Sequence, residues 1–440
     1  MTTADTLPAA SVHQHEALLF FTLLQLAVIV IAGRVGGTIA RRFGQASVVG
    51  EILAGIVLGP SLFGLLAPQV FDLVFRSASP EPLQILSSLG LVLLMFQIGL
   101  EFDFSQLAAR VNRTVVIRVA SMCLILPFSI GLAFGYMAAP ALSPDANRLH
   151  SALFVATAFS ITALPVLGRI MLELDMTRTR IGVIAISAAA INDVIGWLML
   201  ALITALTAAS FNAGNYGLHV TLVVAFILVC VFLLRPLLKK AVRYSNPTGG
   251  QISGNLIGGL LALIFVASMT TYQLGIFAIF GGFMMGVILF DERELVSAWR
   301  ERIGGFVTVF FLPIFFTYTG LRTSIGGLDT LEAWGWCVLT VALATVGKFG
   351  GAYLIARASR LNHAEASILG YMMNTRGLME LVVINLGYDL GMISQQMFTI
   401  LVIMAVVSTV ITTPALRRYL PRAGIPVPAH LQRGFSRRGA

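Results

Sequence analysis

The chain has 440 residues, of which 57% are hydrophobic and 11% are charged, and its mean hydropathy is +0.89. An average soluble protein has about 25% charged residues. This composition therefore excludes an ordinary soluble enzyme and a disordered scaffold, and it indicates a protein built for the lipid bilayer. The net charge of +9 would suggest nucleic acid in a soluble domain. In a membrane protein it has another explanation, because Lys and Arg collect in cytoplasmic loops.

Thirteen mostly apolar segments follow one another along the chain, most of them near the length of about 20 residues that a membrane-spanning helix requires. They predict helices at 17–39, 45–62, 83–100, 114–139, 149–168, 180–208, 217–235, 252–270, 273–290, 303–320, 332–356, 363–388 and 394–416. The first sixteen residues contain no Lys or Arg, so they lack the positive start of a secretory signal. The apolar run from Ala17 is interpreted as a membrane anchor that is retained.

Basic residues fall in alternate loops between these segments. Of the 29 Lys and Arg, 23 lie in the loops of one side and in the C-terminal tail, whereas Arg76, Arg148 and Arg322 lie on the other side. This asymmetry predicts a multi-pass protein of the plasma (inner) membrane with its N-terminus outside and its C-terminus in the cytoplasm. The +9 therefore marks topology, and no nucleic-acid partner is expected.

Two stretches of the first half of the chain have weak counterparts in the second half. Gly50–Leu58 is similar to Gly281–Leu289, and Phe96–Leu100 is similar to Thr317–Leu321. Six spans, one linker span and six further spans would place the halves in opposite orientation, a signature of secondary transporters. The predicted units are an extracellular N-terminus, a first inverted repeat, a linker span, a second inverted repeat and a short basic cytoplasmic tail, at 1–16, 17–208, 217–240, 252–416 and 417–440.

Six charged residues remain at membrane depth, where a charge costs about 2.5 kcal/mol or more and tends to line an ion or proton path. They are Arg118, Lys348, Arg376, Glu51, Asp193 and Glu380. Glu51 and Arg118 lie a turn or two from the predicted cytoplasmic side, so snorkelling or interfacial pairing is the favoured interpretation. Glu51 is kept as a possible accessory site residue.

Asp193 lies about midway along the sixth span, next to Asn192. Its neighbours on the same helix face, Ala189, Ala190 and Gly196, are small and let another backbone approach closely. A desolvated carboxylate favours its neutral form, so Asp193 is suited to bind either a proton or a transported cation. The structural alternative is an aspartate held by a basic partner.

The fifth span contains Ser160–Pro165, in which a proline follows two hydroxyl-bearing residues. The proline ring clashes with the carbonyl of Ile161 and frees backbone oxygen beside the hydroxyls of Ser160 and Thr162. Na⁺ and K⁺, as hard cations, take oxygen ligands. A broken helix at membrane depth is tolerated only where it is buried in protein or lines a cavity. An ordinary proline kink is the alternative interpretation.

The twelfth span carries Asn374–Glu380, whose polar residues and glycine predict a second interrupted helix. Arg376 and Glu380 are four residues apart, so a structural ion pair between them is the favoured interpretation of Glu380. Lys348 stands in the eleventh span beside Gly347. Three interpretations fit it equally: it pairs with a core carboxylate, adds a second titrating site, or braces the two broken helices.

Other chemistry has no signature in this chain. Cys123, Cys230 and Cys337 each sit in an apolar run without paired spacing, so core packing is expected rather than a disulfide or a zinc site. There is no P-loop, no dinucleotide-binding fingerprint and no HExxH. We expect no cofactor and no enzymatic activity.

In this order the motifs resemble the monovalent cation/proton antiporter-2 family, especially its plant cation/proton exchanger branch and bacterial relatives. The resemblance covers nearly the whole chain and rests on Gly50–Gly55 with Gly59-Pro60, Ser160–Pro165, Ala190–Asp193, Gly347-Lys348 and Met373–Leu381. It implies an all-α polytopic membrane protein of about thirteen transmembrane helices, with two six-helix inverted repeats and two crossed discontinuous helices. The family is usually homodimeric, with a core domain that carries the ion by an elevator-like movement against a dimerisation domain.

The resemblance also implies roles for single residues. Asp193 is similar to the family's ion- and proton-binding carboxylate, with Thr162 and Asn192 as its neighbours at the crossing, and Lys348 is similar to a core lysine that some relatives pair with an acid. Electrogenic relatives carry two adjacent aspartates where this chain has Asn192 and Asp193. The asparagine implies electroneutral exchange of H⁺ for K⁺ or Na⁺. Competing hypotheses are a passive cation channel and a sodium-coupled importer of an organic solute on the same fold.

Overall fold

A computed structural model describes residues 7–77, 79–101, 113–176, 179–208, 221–222, 224–245, 253–274 and 278–426. Within these ranges the regular structure is helical throughout and includes no strand, in agreement with the all-α prediction. The main helices are α1 (Leu7–Arg42), α2 (Ser47–Val57), α3 (Glu81–Glu101), α4 (Arg113–Leu142), α5 (Arg148–Ser160), α6 (Leu164–Glu173), α7 (Arg180–Ala208), α8 (Arg235–Ser245), α9 (Gly254–Gln273), α10 (Ala278–Val287), α11 (Arg293–Trp299), α12 (Leu312–Arg322), α13 (Leu331–Ala358), α14 (His363–Met373), α15 (Leu378–Asp389) and α16 (Gln395–Tyr419).

Each of the thirteen apolar segments contains helix within the described residues. By length and composition, seven helices of the described chain can cross a membrane singly: α1, α3, α4, α7, α9, α13 and α16. An eighth span results if the pair Arg293–Gly304 and Val307–Gly327, bent by 45°, is counted as one. The parts of predicted features that lie outside the described residues are 1–6 of the N-terminus, 78, 102–112 and 177–178 of the first repeat, 217–220 and 223 of the seventh span, 252 of the eighth, 275–277 of the ninth and 427–440 of the tail.

Glycines bring α2 against α12 and α3 against α10. A Cβ added at Gly55 would lie 2.5 Å from the carbonyl carbon of Phe316, and one added at Gly320 would overlap the backbone of Gly55. On the other helix pair, a Cβ at Gly99 would lie 2.9 Å from the amide nitrogen of Val287, and one at Gly286 would lie 2.8 Å from the Cα of Gly99. Close approach of this kind needs small residues on both helices.

Helix α4 is the scaffold on which the central helices are placed. A Cβ added at Gly135 would lie 2.8 Å from the Cα of Ala152, so α5 packs directly on the backbone of α4. A Cβ added at Gly347 of α13 would lie 3.1 Å from the Cα of Pro127 on α4. Lys348, which follows Gly347, lies at the C-terminal end of α5, because it donates to the carbonyl of Ser160.

The outer ends of the interrupted helices are capped by side chains. The Asn147 side chain accepts hydrogen bonds from the first backbone N–H groups of α5. At the start of α14, Asn362 and Glu365 form a reciprocal capping box. The opposite ends of α5 and α14 lie inside the protein, so their terminal backbone groups must find partners there.

Candidate functional site

The two predicted interruptions are confirmed. Helix α5 ends at Ser160 and α6 begins at Leu164, while α14 ends at Met373 and α15 begins at Leu378. The two breaks meet, because the backbone N–H of Ala163 donates to the carbonyl of Thr375 over 3.2 Å. Four helix ends therefore come together in the interior of the protein.

Each break has a local cause in the sequence. Pro165 lies in the first turn of α6, where a proline is tolerated. It cannot form a helical hydrogen bond to the carbonyl of Ile161, and the backbone of Ile161 is extended (φ −70°, ψ 142°). In the other break, Gly377 has φ 139° and ψ −126°, a conformation open in practice only to glycine. A Cβ at this position would also approach Val166 to 3.0 Å.

Arg376 joins the second break to the end of α5. Its guanidinium is fully buried, and Nη1 donates to the carbonyl of Ala158 at 3.0 Å while Nη2 donates to that of Phe159 at 3.1 Å. These carbonyls belong to the last turn of α5, which lacks intrahelical donors and carries the negative end of the helix dipole. Nη1 also donates to Oε1 of Glu380 at 2.6 Å, which confirms the predicted pair.

Lys348 holds the same helix end from α13. Its buried ammonium donates to the carbonyl of Ser160 and, at 2.9 Å, to the carbonyl of Cys123 on α4. Among the described residues it forms no ion pair, although it interacts electrostatically with Asp193 at longer range. These bonds brace one of the broken helices, α5, against α4 and α13, and the three interpretations of this lysine stay predictions.

Helix α7 brings Asp193 to the crossing. A Cβ added at Gly196 would lie 2.8 Å from Cγ1 of Ile161, so α7 packs against the first residue of the α5–α6 break. Ala189 and Ala190, on the same face of α7, are buried as expected for a close helix contact. The small residues around Asp193 therefore have the packing role that the sequence predicted.

Several polar atoms at this place have no hydrogen-bond partner among the described residues. They are both carboxylate oxygens of Asp193, the amide oxygen and nitrogen of Asn192, and the hydroxyl of Thr162. All three side chains are at most 2% exposed. The carboxylate interacts electrostatically with Lys348 and the backbone N–H of Leu164. Because a buried polar atom without a partner costs roughly 1–3 kcal/mol, such a group calls for an explanation beyond packing.

Ser160 contributes to the site through its backbone. Its hydroxyl donates to the carbonyl of Ala156 at 2.7 Å, one turn earlier in its own helix. Its carbonyl accepts from Lys348. Of the two hydroxyls predicted as oxygen ligands, only that of Thr162 is thus without a partner in the described chain.

Glu51 differs from expectation. It is 4% exposed and lies between α2 and α1, where a Cβ added at Gly37 would be 3.5 Å from its Oε1. Snorkelling is excluded, because α1 covers this residue through the close contact of Gly36 with Gly50, whereas the alternative of interfacial pairing stays a prediction. Arg118 is exposed, as that prediction requires.

Sequence reasoning missed the contribution of α16. The hydroxyl of Thr409 donates to the carbonyl of Arg376 at 2.7 Å, and the hydroxyls of Thr375 and Thr412 lie 3.4 Å apart. A signal was present, since Ser408, Thr409, Thr412 and Thr413 are spaced to share one face of an otherwise apolar helix.

This architecture is that of a polytopic helical membrane protein with a buried carboxylate beside two crossed, broken helices. The chain belongs to the sodium/hydrogen exchanger family: it matches the family described as "Sodium/hydrogen exchanger, transmembrane" over residues 26–421. The resemblance carried by the motifs is thereby confirmed.

Relatives and solved structures agree with this assignment. The chain is 36% identical over 417 residues to the Na(+)/H(+) antiporter NhaS4 of Synechocystis sp., covering 94% of this chain and 99% of the relative. It is 34% identical to Cation/H(+) antiporter 17 of Arabidopsis thaliana (91% and 48% covered) and 30% identical to K(+)/H(+) antiporter 1 of Saccharomyces cerevisiae (86% and 44%). It thus spans about half the length of the plant and yeast proteins.

The fold is similar to that of the sodium proton antiporter MjNhaP1 from Methanocaldococcus jannaschii. The TM-score is 0.63 at 15% sequence identity, covering 92% of this chain and 98% of the other. At this identity the similarity concerns the fold alone.

Proposed function

We propose that the chain exchanges a monovalent cation, K⁺ or Na⁺, for protons across the plasma membrane, with Asp193 as the site that both ions share. The observation that carries the proposal is the buried carboxylate of Asp193, to which no side chain of the described residues donates a hydrogen bond. One carboxylate holds either a proton or a cation, so the release of one is coupled to the binding of the other. Family membership and the names of the relatives support this activity.

The proposed architecture has thirteen spans, with α1 to α7 forming one inverted repeat and α9 to α16 forming the other. Two contacts support the repeat. Gly55 corresponds to Gly286 in the sequence match of the two halves, and Gly99 corresponds to Gly320. Gly55 contacts Gly320, and the corresponding residues, Gly286 and Gly99, also contact each other. An inverted repeat requires such a pair of equivalent contacts.

The proposed movement is an elevator-like displacement of a core against a panel. In this scheme, α4 to α7 and α13 to α16 form the core, and α1 to α3 and α9 to α12 form the panel. At the end of the molecule that is poor in basic residues, panel and core are connected by hydrogen bonds that we call the outer contact. Its members are Arg322 with Asn385 (3.3 Å), Arg322 with Asp389 (2.6 Å) and Ser324 with Thr399 (3.3 Å). These bonds support a state that is closed towards the outside, with the N-terminus outside and the C-terminus in the cytoplasm.

The proposed stoichiometry is one proton for one cation. Asn192 cannot titrate, Lys348 is occupied by two backbone carbonyls, and Glu380 is paired with Arg376. We therefore assign the exchanged proton to Asp193. Exchange of one proton for one monovalent cation moves no net charge, so we expect no response to membrane potential.

The proposal is tested by an Asp193→Asn variant reconstituted in vesicles that contain a pH-sensitive dye. We expect cation gradients to drive proton movement in the wild type and not in this variant, because an amide cannot carry a proton in exchange for a cation. The matched control is Asp145→Asn, the same chemical change at an exposed loop residue, which should transport normally. Proton exchange by Asp193→Asn at the wild-type rate would refute the proposal.

The same vesicles identify the ion and separate the competing hypotheses. Gradients of Na⁺, K⁺, Li⁺ and Rb⁺ are applied in turn, with and without a membrane potential. Rates that are independent of potential support electroneutral exchange. Unitary conductance steps would instead indicate a channel, and Na⁺-driven uptake of a labelled organic solute without proton movement would indicate a symporter.

We also propose that the protein is a homodimer, as in the family that its motifs resemble. Light scattering of the purified protein, corrected for bound detergent, measures the mass directly. A mass of 47.2 kDa would mean a monomer, whereas twice that mass supports the dimer.

A further inference from the structure

A large cavity lies where the end of α16 meets the loop between α1 and α2. Its volume is about 1320 Å³. The lining is largely apolar, and its two charged residues, Arg417 and Arg418, are both basic. No residue of the two helix breaks, and neither Asn192 nor Asp193, takes part in the lining. The cavity is thus separate from the proposed ion site, and its charge disfavours a cation.

An apolar groove of about 400 Å³ continues from this cavity between α1 and α2. Phe43 and Val410 line both spaces, so the groove and the cavity are neighbours. The groove follows α1 from Phe43 to Ala32, a distance of about 16 Å at 1.5 Å per residue. Half the hydrocarbon thickness of a bilayer is about 15 Å. The groove is therefore as deep as one leaflet.

We propose that the cavity and the groove together bind one anionic phospholipid. Its phosphate lies beside Arg417 and Arg418, and one acyl chain lies in the groove against exposed apolar side chains such as Val35 and Val57. Basic pockets between transmembrane helices at the cytoplasmic side suit anionic lipid headgroups.

The chain's own C-terminal tail is a poorer occupant on grounds of charge. The tail beyond residue 426 carries Arg433, Arg437 and Arg438 and no acidic residue. Placing it beside Arg417 and Arg418 would bring like charges together. A phosphate diester supplies the opposite charge, and its acyl chain accounts for the groove.

Thermal unfolding of the purified full-length protein in detergent tests the proposal, with phosphatidylglycerol or phosphatidylcholine added. We expect phosphatidylglycerol to raise the unfolding midpoint and phosphatidylcholine to have little effect. Arg418→Gln should weaken the apparent affinity for phosphatidylglycerol about fivefold, which corresponds to the ~1 kcal/mol of one basic residue near a lipid phosphate. Lys240→Gln, an exposed basic residue on α8 outside the cavity, should leave it unchanged.

A second variant tests the groove without changing charge. Val35 is 51% exposed on α1, and Val35→Trp should fill the groove and abolish the response to phosphatidylglycerol. Native mass spectrometry should show one retained phosphatidylglycerol per chain in the wild type and none in this variant. Equal effects of both lipids would overturn the proposal, as would equal stabilisation by glycerol 3-phosphate, which would mean an anion pocket without a lipid. Truncation after Pro426 should leave the response to phosphatidylglycerol intact. Loss of that response in the truncated protein would mean that the tail forms the site.

Discussion

Arg376 connects the two broken helices through three hydrogen bonds to buried partners. Its charge is compensated by the Glu380 carboxylate and by the carbonyls that end α5. Burying an isolated charge is very costly, and the arrangement is stable only because every part of it is present. This residue therefore has a structural role at the crossing of the broken helices.

We predict that Arg376→Met destabilises the protein by roughly 3–5 kcal/mol, because it leaves the buried Glu380 and two carbonyls without a donor. Glu380→Gln should cost less, since the amide oxygen still accepts from Arg376. The midpoints of thermal unfolding in detergent measure both effects. Equal destabilisation by the two variants would contradict the assigned order of importance.

The residues of the site were predictable to different degrees. A lone carboxylate inside an apolar span identifies Asp193, and four-residue spacing identifies the pair of Arg376 with Glu380. The partners of Lys348 were not predictable, because they are backbone carbonyls, which every residue possesses. The burial of Glu51 was not predictable, because it depends on the packing of α1 over α2, which no local pattern encodes.

At the level of single elements, the α14–α15 break depends on glycine at 377. We predict that Gly377→Ala costs about 1–3 kcal/mol, because φ 139° strains any residue with a Cβ and the new methyl group would press on Val166. The control is Gly350→Ala in α13, where a Cβ meets nothing within 4 Å and helix propensity favours alanine. Unfolding midpoints of the two variants measure the difference, and unchanged stability of Gly377→Ala would contradict the prediction.

Helix α8 is attached to the loop between α10 and α11 by a cluster of charges. Arg235 donates to Asp291 at 3.1 Å, and Lys239 contacts the same carboxylate and lies 3.8 Å from Glu292. Partial burial alone would raise the pKa of Asp291, but the hydrogen bonds from Lys239 and Arg235 outweigh it and hold the pKa below its usual value. The folded protein thus favours the ionised form of this carboxyl.

A lowered pKa in the folded state stabilises the protein at pH values above the ordinary pKa of Asp, and this stabilisation is lost as the pH falls through the folded-state pKa. We therefore predict that Asp291→Asn is less stable than the wild type at neutral pH and that the difference disappears in acid. Unfolding midpoints measured over the acidic range test this. A difference that stays constant down to the lowest pH would assign the effect to packing instead.

The positions of most helices followed from hydropathy alone, but their lengths did not. Helices α2 and α10 have 11 and 10 residues, although the apolar segments that contain them are longer. Hydropathy measures whether a segment prefers lipid, whereas the end of a helix depends on backbone contacts such as that of Gly55 with Gly320. The π-helical segments Val229–Leu234 and Val307–Phe311 likewise have no signature in apolar spacing.

At the scale of the whole molecule, the proposed elevator movement must break the outer contact. We predict that a short thiol crosslinker between cysteines at Ser324→Cys and Thr399→Cys stops cation/proton exchange, since these positions join the panel to the core. Cleavage of the crosslink should restore exchange. Transport at the full rate in the crosslinked protein would refute a relative movement of the two parts.

The matched control lies within the core. The backbone N–H of Ser394, at the start of α16, donates to the hydroxyl of Ser143, just after α4, at 2.9 Å. Crosslinked cysteines at Ser143→Cys and Ser394→Cys connect two helices that are proposed to move together, so exchange should continue. The natural cysteines Cys123, Cys230 and Cys337 are buried, which limits their reaction with the reagent.

The bonds that Arg376 and Lys348 make to the end of α5 also bear on ion selectivity. Potassium channels replace the water around the ion with rings of backbone carbonyls. Here three carbonyls of the broken helix already accept from a guanidinium or an ammonium, so fewer backbone oxygens remain for a cation at the proposed Asp193 site. We therefore expect such a cation to keep part of its hydration shell. A partly hydrated ion is distinguished mainly by its charge, so we expect the protein to separate Na⁺ from K⁺ only weakly.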